Sequence, residues 1–240
     1  MNARFKPLSI FKKRISSFFT PQSIEKSKSE VSSMVEVICC KGKYMLDSGR
    51  ANYSFGGLHY VMQQVFAKYE IKDREIKNTL LLGFGAGSVA SILQKEYKKK
   101  LKIVGVEKDP VVVDLAKKYF SLGKFKDLEL YTEDAFDFVR NCNNKFDMIV
   151  MDVFVDVNVP DKFLEKEFIS SLGNLLSVKG ILFFNLVVYA ERIRDKGNVL
   201  FNYMNELIGN TDWMRLNEHP TENWIFVTDK TKKPESSFLE

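Results

Sequence analysis

The segment LLLGFGAGSVASIL, Leu80 to Leu93, narrows the possible folds more than any other part of the chain. An apolar run of strand type breaks on three glycines at alternating positions and resumes with helical spacing. Gly83, Gly85 and Gly87 allow a sharp strand-to-helix turn whose backbone can approach a ligand closely, because no Cβ intervenes. Val89, Ile92, Leu93 and Tyr97 then share one face of the following helix. Dinucleotide-binding turns read G-x-G-x-x-G. This one reads G-x-G-x-G, with Ser88 where that motif has its third glycine, and so points away from NAD.

From Thr79 onward, strand and helix patterns alternate. The spacing predicts strands over 79–83, 102–107, 128–131, 146–152 and 180–186, and helices over 88–97, 110–120, 135–141, 162–176 and 197–208. The closing NWIFVTD reads as one more strand, preceded by another near Met214. Such alternation predicts an α/β fold with a doubly wound, mostly parallel, seven-stranded sheet covered on both faces. Ligands of such sheets bind beyond the carboxyl ends of the strands. Glu107 ends the second strand 20 residues past Gly87, where an acid can accept hydrogen bonds from both ribose hydroxyls. Asp134 stands just ahead of a helix, where it serves as an N-cap or as an acceptor for an adenine amino group. Asp152 closes the fourth strand, so glycines and three acids converge on one crevice.

Ahead of this body, FKPLSIFKKRISSFF places Leu8, Phe11, Ile15 and Phe18 at helical spacing, with Lys12, Lys13 and Arg14 on the other side. It reads as a basic amphipathic arm that packs on the domain or frays, in preference to a membrane or partner arm. The Ser/Lys/Glu stretch 22–33 reads as a linker, and MVEVICCKGKYMLDSG as a β-hairpin around Lys41-Gly42. The net charge of +5 lies wholly in residues 1–30, and the remainder carries 29 basic and 29 acidic residues. A neutral body argues against a nucleic-acid partner, whose phosphates demand clustered Lys and Arg. No apolar run is long enough to span a bilayer and no leader is visible, so a cytoplasmic location is expected. Cys39, Cys40 and Cys142 read as reduced side chains. With His59 and His219 as the two imidazoles, no metal site is expected.

Residues 35 to 186 resemble the spermidine synthase family, which has the fold of class I methyltransferases. LLLGFGAGSV is similar to that family's first nucleoside motif, VGVEKDP to its ribose-binding acid, EDAFDFV to its adenine-binding Asp with the following helix, and FDMIVMDVF to its catalytic strand. In VPDKFLEKEFISSLGNLLSVKGILFFNL, Pro160 matches a proline that borders the adenine. KYMLDSG and LHYVM look like the family's N-terminal hairpin region, with a shorter piece between them. The resemblance implies a transferase that binds S-adenosylmethionine or its decarboxylated form, without a metal, through Gly83, Gly85, Gly87, Glu107, Asp134, Ala135, Asp152 and Pro160. Its domains would be an arm and linker over 1–33, a hairpin and connecting helix over 34–78, the donor-binding domain over 79–230 and a tail over 231–240. The expected partners are a small-molecule acceptor such as an amine and a second copy in a homodimer.

Two departures bear on the reaction. Ala86 stands where the family carries an Asp that grips the aminopropyl amine, and Val155 stands where the second Asp of D-x-x-D accepts a proton. Asp156 lies one residue further and is a candidate replacement, so the expected catalytic pair is Asp152 with Asp156. Tyr53 and His59, in NYSFGGLHY, are candidates to close the acceptor pocket, against the alternatives of a packed aromatic and a helix-start histidine. Methyl transfer to a small molecule is the first expectation. Aminopropyl transfer is the second, and a nucleoside-binding protein without turnover the third, since one fold hosts many functions.

Overall fold

A computed structural model of the chain describes residues 7–47, 52–155, 158–218 and 221–232. It begins with α1 (Pro7–Ser16), then β1 (Gln22–Ser29), β2 (Ser33–Cys40), β3 (Lys43–Asp47) and β4 (Asn52–Ser54), which pair in that order as a four-stranded sheet. The hairpin expected around Lys41-Gly42 is the β2–β3 pair. The stretch read as a linker is instead the edge strand β1, antiparallel to β2 along its length. Its polar composition hid it, because Ile24 is its one large apolar residue. What fastens it is pairing with β2 together with Glu25, which accepts hydrogen bonds from Lys118 and Tyr119 at 2.5 Å each.

α2 (Gly57–Lys68) leads into the main sheet, whose seven strands are β5 (Asn78–Leu82), β6 (Lys102–Glu107), β7 (Leu128–Thr132), β8 (Phe146–Met151), β9 (Leu176–Val188), β10 (Thr211–Glu218) and β11 (Thr221–Asp229). Their spatial order is β10-β11-β9-β8-β5-β6-β7. β5 through β9 run parallel, and β11 is inserted antiparallel between β9 and β10. The strands alternate with α3 (Ser88–Ser91), α4 (Pro110–Tyr119), α5 (Ala135–Asn141), α6 (Lys166–Leu175) and α7 (Glu191–Leu207).

Alternation along β5 shows why the sheet needs two layers of helices. Leu81 packs with Ile103, Val150 and Phe183 against Met62 and Phe66 of α2 and Leu115 of α4. Leu80 and Leu82 point the other way, joining Val104, Ile149 and Phe184 with Val139 of α5, Ile169 of α6 and Leu200 of α7. A strand apolar on both faces is stable only when both faces are covered. β6 and β8 flank β5 on opposite sides, so chain order reverses there, and this switch point opens the crevice at the carboxyl edge.

Three boundaries differ from the spacing. The helix expected over 162–176 is split into a 3₁₀ turn, Asp161–Phe163, and α6. β9 starts at Leu176, directly on the end of α6. α7 starts at Glu191 and not at 197, because Gly197 weakens the helical signal in its middle; a Cβ there would lie 2.9 Å from the Trp224 ring, so close packing requires glycine. Among the described residues no helix is long and apolar enough to cross a membrane.

Candidate functional site

The glycine turn has the conformation its sequence demands. Gly83, Gly85 and Gly87 have φ of 82°, 56° and 86°, the left-handed region that side chains with a Cβ rarely adopt. At Gly83 space also excludes a side chain, since a Cβ would stand 2.2 Å from the Asp152 carbonyl oxygen. The amides of Gly83 and Phe84 donate to the Val106 carbonyl at 3.0 and 2.9 Å, which pins the turn over β6. Gly87 caps α3, and the helix continues as a π-helical turn, Ile92–Glu96.

Glu107, at the end of β6, accepts the Gly85 amide on Oε2 at 2.9 Å and the Asp109 amide on Oε1 at 3.0 Å. Burial pushes its carboxyl above the ordinary range, the neighbouring Asp109 charge adds to that, and the two amides oppose it. Asp134 fulfils its capping role, with Oδ1 accepting the Phe136 amide at 2.9 Å. Its Oδ2 lies 2.8 Å from Lys162 Nζ and 3.0 Å from Lys108 Nζ. Burial would raise this carboxyl, but the hydrogen bonds from Lys162, the Phe136 amide and Lys108 outweigh it and hold the group below the usual carboxylate range. Asp152 follows β8, where its own amide donates to Leu82 at 2.8 Å. Its side chain is 7% exposed, and Oδ1 accepts from Asn185 Nδ2 at 2.8 Å. Burial lifts it to about 7, against the Asn185 hydrogen bond and with a contribution from the Glu107 charge.

Gly83, Gly85, Glu107, Asp134, Ala135, Asp152 and Pro160 line one cavity of about 70 Å³, together with Val153, Phe154, Val155, Lys108 and Lys162. Its roof is the β1–β2 turn, Val31 and Ser32, tied down by Ser29, whose hydroxyl hydrogen-bonds Asp109 Oδ2 and accepts the Val31 and Ser32 amides at 3.0 Å. His59 is elsewhere. Its Nδ1 lies 2.6 Å from Ser88 Oγ and its Nε2 2.7 Å from Glu96 Oε1, with Phe55 stacked on the ring, so it braces α2 against the α3 segment and does not line this cavity. Tyr53 belongs to β4, but its side chain lies outside the described residues, as does Asp156. Val155 bridges to Asn158 through paired main-chain hydrogen bonds of 2.8 and 3.0 Å. Ala86 is fully buried in the apolar layer beneath the turn and is not among the residues lining the cavity.

Sequence reasoning missed Lys108, Lys162, Asn185 and the β1–β2 roof. Asn185 had a signal, being the one polar residue in the run ILFFNLVV; a buried amide in a central strand has a partner to find. Its Oδ1 is buried without a hydrogen-bond partner among the described residues.

Strand order, the glycine turn at the switch point and acids on successive strand ends define a fold of the class I methyltransferase type with a crevice at the carboxyl edge of its sheet. The chain belongs to the spermine/spermidine synthase domain family, whose model matches residues 62–234. It is 28% identical over 179 residues to an eEF1A lysine and N-terminal methyltransferase homolog of Drosophila melanogaster, covering 68% of this chain and 26% of that protein. It is 32% identical over 109 residues to the polyamine aminopropyltransferase of Vibrio vulnificus, covering 44% of this chain and 36% of that enzyme. The crystal structure of a probable spermidine synthase from Corynebacterium glutamicum superposes with a TM-score of 0.68 at 16% identity, covering 91% of this chain and 83% of that one. The chain spans less than two-fifths of the length of the curated relatives it matches.

Proposed function

We propose that this protein binds S-adenosylmethionine in the crevice beyond β5, β6, β7 and β8 and transfers its methyl group to a small-molecule acceptor, with an amine as the acceptor class that the family favours. One observation carries the choice of reaction: at the two positions where the family's aminopropyl chemistry uses carboxylates, this chain has Ala86, buried in the core, and Val155, an apolar cavity wall.

The residues suit an adenosyl donor. Each carboxylate oxygen has two lone pairs, so Glu107 retains acceptor capacity for vicinal hydroxyls after binding the Gly85 and Asp109 amides. Asp134 offers an acceptor at the far end of the crevice, in competition with Lys108 and Lys162. The donor, when bound, supplies an electrophilic carbon on a sulfonium, and its displacement requires alignment above all. Asp152 is the group suited to take the acceptor's proton. Asn185 fixes one oxygen, the other is free of that bond, and a value near 7 lets the carboxyl change state near neutral pH.

A second reading, aminopropyl transfer, is favoured by family membership. The experiment is a parallel titration and turnover assay with S-adenosylmethionine and its decarboxylated form, offering putrescine and a panel of amines. With Ala86 buried beneath the turn, no carboxylate at this position opposes the donor's own or holds an aminopropyl amine. The carboxylated donor is therefore expected to bind more tightly. Tighter binding of the decarboxylated donor with spermidine formed would establish aminopropyl transfer, and binding of NAD in place of either donor would overturn the nucleoside assignment.

A further inference from the structure

α1 leaves Phe11 and Ile15 exposed, while Ile10 is half-buried. Polar atoms hold it to the N-terminal sheet: the buried Ser17 hydroxyl donates to the Arg14 carbonyl at 2.6 Å and accepts the Gly42 amide at 2.9 Å. The Lys41 amide donates to the Ser17 carbonyl at 2.8 Å, and Lys13 Nζ donates to the Ser23 carbonyl at 2.7 Å. Phe11, Ile15, Phe18 and Phe19, on and just after the helix, are 61%, 53%, 63% and 87% exposed. Among the described residues eleven large apolar side chains are exposed, and four of them fall in this one short segment. Scattered singly they would need no explanation; clustered on one ridge, they mark a surface that meets something apolar.

The surroundings are cationic. Lys12 and Arg14 interleave with the apolar residues. Arg14, Lys41, Lys43, Lys95 and Lys124 line the open groove beside α1, whose lining includes one acid, Glu96, already engaged by His59 and Gln63. Burial first, and the Lys124 charge second, press the Lys95 ammonium toward losing its proton, and its Nζ lies 4.2 Å from the centroid of the Phe125 ring.

We propose that α1 and the adjoining basic groove dock the protein on an anionic lipid surface. The Phe11, Ile15, Phe18 and Phe19 side chains enter the boundary between headgroups and acyl chains while Lys12, Arg14, Lys41 and Lys43 meet lipid phosphates. The combination of an apolar ridge with flanking Lys and Arg fits this partner. A second copy fits poorly, because a two-fold contact through this face would set the same cations against each other. An acidic protein segment would answer the charge, yet a protruding helix presents its aromatics as a ridge that a bilayer can envelop. The proposal is independent of the transfer reaction.

The test is co-sedimentation of the full chain with vesicles of phosphatidylcholine alone and of phosphatidylcholine with phosphatidylserine, at low and high salt. Binding is expected to the anionic vesicles, to weaken as salt screens the charges, and to fall at least about tenfold in the Phe11→Ser/Phe19→Ser variant and again in Lys41→Glu/Lys43→Glu. These positions are at the surface, and thermal melts matching the parent's will show that both variants fold. Absence of binding to anionic vesicles overturns the proposal, as does equal binding to phosphatidylcholine alone or binding unaltered in both variants. Light scattering that shows a dimer dissociated by Phe11→Ser/Phe19→Ser would assign the face to a second copy. Retention on immobilised polyglutamate without vesicle binding would assign it to an acidic protein.

Discussion

Glu107 and Asp134 end adjacent parallel strands and face the same crevice, yet one is held by the main chain and the other by side chains. On the β5–β6 side, Glu107 is gripped by two main-chain amides, Gly85 of the glycine turn and Asp109 at the start of α4. On the β7–β8 side, Asp134 is gripped by two long lysines, one from the loop after β6 and one from the 3₁₀ turn before α6. On the proposed function, the first half is already in place for a donor, whereas the second would exchange lysine contacts for ligand contacts. Asp152 sits between the two halves, uncharged or charged according to pH.

The largest expected effect is on the rigid half. Gly83→Val puts a branched side chain at φ 82°, with its Cβ 2.2 Å from the Asp152 carbonyl. A loss of about 4 kcal/mol or more is expected from clash and backbone strain together, read as a collapsed thermal transition. A normal melt would mean that the turn is less fixed than Glu107 requires.

Next comes Asp152→Asn. The folded protein keeps the Asp152 proton to about pH 7, whereas an unfolded Asp releases it near pH 4. Parental stability is thus greatest below the unfolded value and declines as pH rises toward 7, at up to about 1.4 kcal/mol per unit for this group. The Asn variant lacks that decline. It should equal the parent near pH 4 and exceed it by about 2 to 4 kcal/mol at pH 8 in denaturant titrations. Parallel pH profiles would place the carboxyl at its ordinary value.

Glu107→Gln should weaken S-adenosylmethionine binding by about one to two decades in calorimetry, the worth of a hydrogen bond to a charged acceptor. The smallest effect belongs to Lys162→Met. It removes one competitor for Asp134 at the cost of a half-exposed ion pair, so affinity should rise by no more than about fivefold. If Lys162→Met were to abolish binding, the lysine would be a ligand contact, and the contrast between the halves would disappear.

The same contrast explains what the sequence made legible. The glycine spacing and the acids at strand ends are local patterns, and local patterns carry the rigid half of the site and the order of β5 to β8. Lys162 meets Asp134 from 28 positions away through a turn that no periodicity announces. β1 escaped because a polar edge strand has no alternation of apolar residues to betray it, and the start of α7 escaped behind Gly197, which serves Trp224. His59 carries two readings in the sequence, a residue closing the acceptor pocket and a helix-start histidine, and its place in the first turn of α2 beside Ser88 and Glu96 fits the second.

The tie between Ser29 and Asp109 makes one architectural unit of the two sheets. It joins residues 80 positions apart and holds the Val31 and Ser32 roof over an opening of about 70 Å³, when small-molecule sites ordinarily offer roughly 300 Å³ or more. On the proposed function, a donor seated in this crevice would meet the N-terminal sheet at Val31 and Ser32 as well as the ends of the parallel strands. The N-terminal sheet thereby supplies one wall of the crevice in which Glu107, Asp134 and Asp152 stand, so that two sheets far apart in sequence share a single cavity.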